Sequence, residues 1–151
     1  YGGRVFELAP GLDGEAGVIA NAFENVSRYD YQEVYAGLLG EGWNLRLYLS
    51  PDYYGSGQRS AYAELNLRWP LAKGWAALAH VGLLHGRRGQ ALQYVEPQGS
   101  TRLDLRLGAS RQLGESSELQ LAWIAAGRGG PYTWTDSTRR RTAVLSLTTA
   151  F

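Results

Sequence analysis

Hydrophobic and polar residues alternate along this chain with a period of two, the spacing that turns successive side chains of a β-strand to opposite faces. From Trp43, the set Trp43, Leu45, Leu47 and Leu49 opposes Asn44, Arg46, Tyr48 and Ser50. From Ala61, the set Ala61, Ala63, Leu65, Leu67 and Trp69 opposes Tyr62, Glu64, Asn66 and Arg68. Leu103, Leu105 and Leu107 oppose Arg102, Asp104 and Arg106, and Leu119, Leu121 and Trp123 oppose Glu118, Gln120 and Ala122. In the closing stretch, Ala143, Leu145, Leu147 and Thr149 form a greasier side than Thr142, Val144, Ser146, Thr148 and Ala150. Interruptions by Gly, Pro, Asp and Ser divide these runs and predict nine strands, near 4–9, 15–24, 31–39, 43–50, 61–69, 75–85, 102–112, 118–127 and 139–151. Helix is poorly supported throughout.

The connections carry a second pattern. Short ones (10–14, 40–42, 70–74 and 113–117) alternate with longer ones (25–30, 51–60, 86–101 and 128–138). Short turns at one end and longer loops at the other are the habit of outer-membrane barrels, so the expected fold is an all-β, antiparallel transmembrane barrel. Trp43, Trp69, Trp75 and Phe151 then fall at the short-turn edge as an aromatic girdle, while Tyr29, Tyr53, Tyr54, Tyr94, Tyr132 and Trp134 cluster at the other. Charge is sorted as well. Arg28, Arg59, Arg87, Arg88, Arg128, Arg139, Arg140 and Arg141 belong to the long-loop end, where guanidinium groups suit the phosphates of lipopolysaccharide. Asp13, Glu15, Glu41, Glu115 and Glu118 belong to the short-turn end.

Composition narrows the classes. A chain of 151 residues is expected to be one domain, 1–151, and a net charge of +1 opposes general nucleic-acid binding. Without cysteine there are no disulfides and no thiolate sites. No run reaches the ~18 apolar residues of a membrane helix, so spanning requires a closed barrel. Nine strands ending in the periplasm start the first on the extracellular side, whereas single-chain bacterial barrels have even strand numbers. The expectation is that an odd number of strands is supplied upstream or by a partner chain.

Between Tyr29 and Trp69 the chain resembles the TorF-type porin family of proteobacterial outer membranes. The segments are Tyr-Asp-Tyr-Gln-Glu-Val-Tyr-Ala-Gly-Leu (29–38), Leu-Tyr-Leu-Ser-Pro-Asp-Tyr-Tyr-Gly (47–55) and Ala-Tyr-Ala-Glu-Leu-Asn-Leu-Arg-Trp-Pro-Leu (61–71), with weaker similarity from 74 to the end. The resemblance implies a barrel of about twelve strands, of which this chain supplies about the last nine, in a Gram-negative outer membrane. It carries over no catalytic residue.

The candidate site is the polar set facing the lumen: Glu33, Tyr35, Arg46, Tyr48, Tyr62, Glu64, Asn66, Arg68, His80, Arg102, Asp104 and Arg106, joined by Glu7, Asn21, Asn44 and Gln120. Opposite charges on neighbouring strands can pair there. Such a lining makes either a passive, solute-selective pore or a plugged structural barrel. His80 and His85, five residues apart on a strand, point to opposite faces and cannot easily share a metal. His80 suits lumen hydrogen bonding. No spacing marks an enzyme's nucleophile and base, and the glycine runs at 55–57 and 127–130 lack the Lys-Ser/Thr of a phosphate loop. No cofactor, no metal and no enzymatic activity are expected. The rival is a soluble lipocalin-like protein with the Leu/Trp face turned inward around an apolar ligand. Leu105 and Leu121 are expected to face lipid, and Asn66 to tolerate replacement by Ser.

Overall fold

The computed structural model describes residues 1–55, 57–86, 101–127 and 141–150. Nine strands form one antiparallel sheet in sequence order: β1 (Gly2–Ala9), β2 (Leu12–Asn21), β3 (Tyr31–Gly40), β4 (Trp43–Ser50), β5 (Ser60–Pro70), β6 (Trp75–Gly86), β7 (Thr101–Leu113), β8 (Ser117–Ala126) and β9 (Arg141–Thr149). The helical pieces among the described residues are three short 3-10 turns. No helix is long and apolar enough to cross a membrane, which leaves crossing by strands open. Each strand has 8 to 13 residues, bracketing the length that spans hydrocarbon when tilted.

A meander places every second connection at the same end. The tight turns fall between β1 and β2, β3 and β4, β5 and β6, and β7 and β8, with Gly11, Gly42, Gly74 and Gly114 supplying the positive φ each requires. The longer connections all lie at the opposite end. Within the described residues β1 pairs with β2 alone and β9 with β8 alone, so the sheet is open.

Coiling is strong and directed to one side. Arg68 on β5 meets Glu118 on β8 at 2.6 Å, although three inter-strand steps would separate these strands by about 14 Å in a flat sheet. Only a sheet wrapped toward its polar face brings the two together. Burial follows: Ala76, Leu84, Ala122, Glu15, Ser50, Ser60 and Ser110 are all buried, and all lie on the concave side by register. The convex side is the reverse, with Leu45, Leu47, Leu83, Leu107, Leu121, Leu145 and Leu147 exposed. Apolar side chains therefore face out and polar ones in, opposite to the arrangement of an apolar ligand cavity.

Candidate functional site

Cross-strand register carries every residue assigned to the lumen onto the concave face. Three successive rows across the strands build it. The row nearest the long loops runs Gly17, Tyr35, Tyr48, Tyr62, Leu84, Arg102. The middle row runs Glu15, Gly37, Arg46, Glu64, Gly82, Asp104. The row nearest the turns runs Asp13, Leu39, Asn44, Asn66, His80, Arg106, Ile124.

In the middle row, glycine sits between partners. Arg46 on β4 donates from Nε to Glu15 on β2, passing over Gly37 of β3. A Cβ on Gly37 would stand 2.8 Å from the Glu15 carboxylate. Tyr62 on β5 reaches the Asp104 carboxylate on β7 at 3.3 Å, passing over Gly82 of β6, where a Cβ would lie 2.6 Å from Asp104 Oδ2. These bare positions act as windows through which side chains two strands apart can pair. Glu64 completes the row, accepting from the Tyr48 hydroxyl at 3.1 Å and lying 3.9 Å from the Arg46 guanidinium.

His80 joins two rows. Its Nε2 lies 2.7 Å from Asp104 Oδ1 and its Nδ1 2.7 Å from the Asn66 amide oxygen, while Asn66 donates to Asn44 at 2.9 Å. The Tyr62 hydroxyl lies 3.3 Å from His80 Nε2. Asn66, expected to be tolerant, is bonded at both ends of its amide. Replacement by Ser removes both bonds. His85 faces outward and meets Thr101 at 3.0 Å, well apart from His80. Toward the turns, Arg68 holds Glu118 through both terminal nitrogens, Gln120 donates to Glu118 at 2.5 Å, and Arg106 donates to Gln120 at 2.6 Å. A trough of about 450 Å³ opens here, bordered by Asn44, Asn66, Arg68, His80, Arg106 and Gln120 with Leu39, Trp43, Leu67 and Leu78.

Glu15 and Glu118, near the tight turns as the sequence places them, are the counter-ions of Arg46 and Arg68. Their parity was the available signal: Glu15 shares it with Asn21, and Glu118 with Gln120. Tyr35, Tyr48 and Tyr62 form a continuous run of rings with centroids 5.8 and 5.9 Å apart.

At the loop end, the aromatic residues do more than mark an edge. Phe23, Tyr31, Tyr53 and Tyr54 stack on one another, Tyr31 and Tyr54 at 4.7 Å, and Tyr53 interacts with the Arg102 guanidinium on the concave face of β7. The β4–β5 connection thus folds inward over the concave face at the loop end. Asp30 accepts from the Phe23 amide at 2.8 Å and Asp52 from the Gly57 amide at 2.6 Å, which fixes both connections. Burial, and then the neighbouring Tyr54, push the Tyr53 phenol above its ordinary value.

Of the girdle, Trp69 and Trp75 project outward near the turns, 72% and 42% exposed, and the Arg111 guanidinium lies 5.2 Å over the Trp75 ring. Trp43 lies on the same outward face by register, with its ring folded onto Gly40 of its own hairpin, so it is half-buried. Arg141 opens β9 at the loop end, on the outward face. Arg87, Arg88, Arg128, Arg139, Arg140 and Phe151 lie outside the described residues, as do Tyr94, Tyr132 and Trp134. Among the described residues no group of three or more His, Asp or Glu side chains is placed to hold a metal.

Residues 1–151 match a family model described as a bacterial protein of unknown function, Gcw_chp. The chain belongs to the bacterial family Gcw_chp. No curated protein and no solved structure matches it. Membership covers the whole sheet, from the free edge of β1 to that of β9.

Proposed function

We propose that this Gcw_chp chain forms most of the wall of a bacterial outer-membrane β-barrel, and that the barrel is a passive channel for small solutes. One observation carries the reading: the sheet is inside out for water. Its convex face exposes leucines along nearly every strand, while its carboxylates, guanidiniums and tyrosines interlock on the concave face. Lipid is the solvent that suits such a convex face, and a water-filled lumen suits the concave one. The same partition opposes the lipocalin-like alternative, which needs the leucines inside. The alternation of tight turns and long loops supports it, as does the resemblance to TorF-type porins, and Arg141 with the other loop-end arginines suits contact with lipopolysaccharide.

The free edges of β1 and β9 belong to the same proposal. Unpaired backbone N–H and C=O groups cost several kcal/mol each in hydrocarbon, so further strands, from the same or another polypeptide, pair with both edges. Transport is filtering by width and by the field of the lining, with no chemical step. In planar bilayers the purified, folded protein is expected to conduct in discrete steps, and Arg46→Glu to shift its ion selectivity toward cations. Failure to enter liposomes, with a soluble monomeric product, overturns the barrel. The interlocked ion pairs favour one second reading, a plugged structural barrel, and membrane-inserted protein that never conducts selects it.

A further inference from the structure

The trough at the turn end is unevenly neutralised. Asp104 is engaged by His80 and Tyr62, and Glu118 by Arg68 and Gln120. Arg106 has no carboxylate partner among the described residues. Of its five N–H donors, the one with a protein acceptor there is an Nη2 donor, which meets the neutral amide oxygen of Gln120. Its Nε is buried with no partner. A half-buried guanidinium so placed has donors to spare and no direct ion pair among the described residues.

The surroundings say what would balance it. Arg106 borders a trough whose volume, about 450 Å³, lies in the range of small-molecule sites. Asn44, whose amide oxygen accepts from Asn66, stands on the polar wall with Arg68 and His80. Leu39 and Leu78, on the same concave face, give the trough apolar surface beside these polar groups. A planar carboxylate matches the guanidinium fork, and an apolar body matches the leucine surface.

We infer that the trough is a binding site for small amphipathic monocarboxylates, with Arg106 as the anchor for the carboxylate and Leu39 and Leu78 receiving the apolar part. The inference names a solute class for the proposed channel and rests on that reading for its transport role, but the binding site stands on the geometry of the trough alone.

The test uses the full chain refolded in detergent, with benzoate as probe and its neutral analogue benzamide as control, read by isothermal titration calorimetry. Benzoate is expected to give a saturable change, with binding roughly tenfold or more tighter than benzamide. Arg106→Gln is expected to lose that preference, and Arg106→Lys, which keeps the charge, to retain part of it. Equal responses to the two probes, or an unchanged preference in Arg106→Gln, overturns the site. If Arg106→Gln fails to fold, as read by circular dichroism, the comparison of benzoate with benzamide on the unaltered chain decides. Planar-bilayer conductance separates the two proposals. Benzoate binding without conductance keeps the site and removes the channel, whereas conductance with no benzoate preference keeps the channel and removes the site.

Discussion

Glu15 shows how much a single side chain does on the concave face. It is 7% exposed, and its Arg46 partner lies two strands away. Replacing Glu15 by Ala leaves the Arg46 guanidinium with Glu64 at 3.9 Å as its remaining carboxylate. The expected loss is about 1–3 kcal/mol, the usual range when a charged hydrogen-bond partner is removed, measured as a fall in the urea midpoint of refolding into liposomes. On the opposite face the penalty has a different cause. Leu121 is 57% exposed on the convex side, and Leu121→Arg is expected to cost ~2–4 kcal/mol near the bilayer midplane by the same measurement. A cost that vanishes when the chain is assayed in water-soluble form would also identify lipid as the solvent of that face. The faces themselves were legible, because period-two alternation assigns every second residue without knowledge of the fold. The counter-ions were not, since Glu15 and Glu118 each stand within a few residues of a turn and read equally well as edge charges.

At the scale of elements, the strands were legible to within a few residues because a meander needs only local signals: alternation inside each strand and Gly, Pro or Asp between them. The loops were not. The sequence from Phe23 to Tyr31 and from Pro51 to Gln58 reads as polar connection with aromatic residues at a membrane edge, yet Asp30 and Asp52 cap backbone amides and fix both connections at the loop end. Such side-chain-to-backbone bonds are set by three-dimensional approach, which periodicity does not encode. The packed cluster has a pH signature. Its folded environment favours the neutral Tyr53 phenol and raises it above the ordinary 10.0. Stability from that burial is therefore fully present below pH 10 and is lost as pH rises through the elevated value. Near-ultraviolet circular dichroism is expected to hold its aromatic signal up to about pH 10 and lose it above, and Tyr53→Phe, which cannot ionise, to extend the signal to higher pH.

For the whole molecule, the unusual feature is the location of its covered surface. Water-soluble sheets of this size bury many leucines, and this one, among its described residues, buries serine, glutamate and alanine with Leu84 alone of the leucines. Its net cohesion therefore depends on the medium against its convex face more than on an interior. Transfer from lipid or detergent into buffer is expected to cause association through the exposed leucines, measurable by light scattering, while the same chain in detergent stays monodisperse. Monodisperse behaviour in plain buffer would contradict the reading of the convex face. The sequence carried the sorting of turns, loops and tryptophans that leads to this view. It did not reveal how far the sheet coils, because curvature comes from contacts such as Arg68 to Glu118, fifty positions apart.

Gly37 and Gly82 also act as a vernier for strand alignment. If β3 slid by two residues against its neighbours, Tyr35 or Leu39 would occupy the gap between Glu15 and Arg46, and the pair would be blocked. A slide of one residue turns the whole strand inside out. The same holds for β6, where Leu84 or His80 would replace Gly82 beneath Tyr62 and Asp104. Alignment is thus checked twice, at gaps one strand wide and three strands apart, each passing a side chain only in the correct setting. Gly82→Val is expected to destabilise by about 1–3 kcal/mol through overpacking, whereas Ala77→Val, outward on the same strand, is expected to be nearly silent. Beyond its cost in stability, Gly82→Val is expected to yield a mixture of shifted β5–β6–β7 alignments, visible as doubled amide resonances along β6, while Ala77→Val gives a single set.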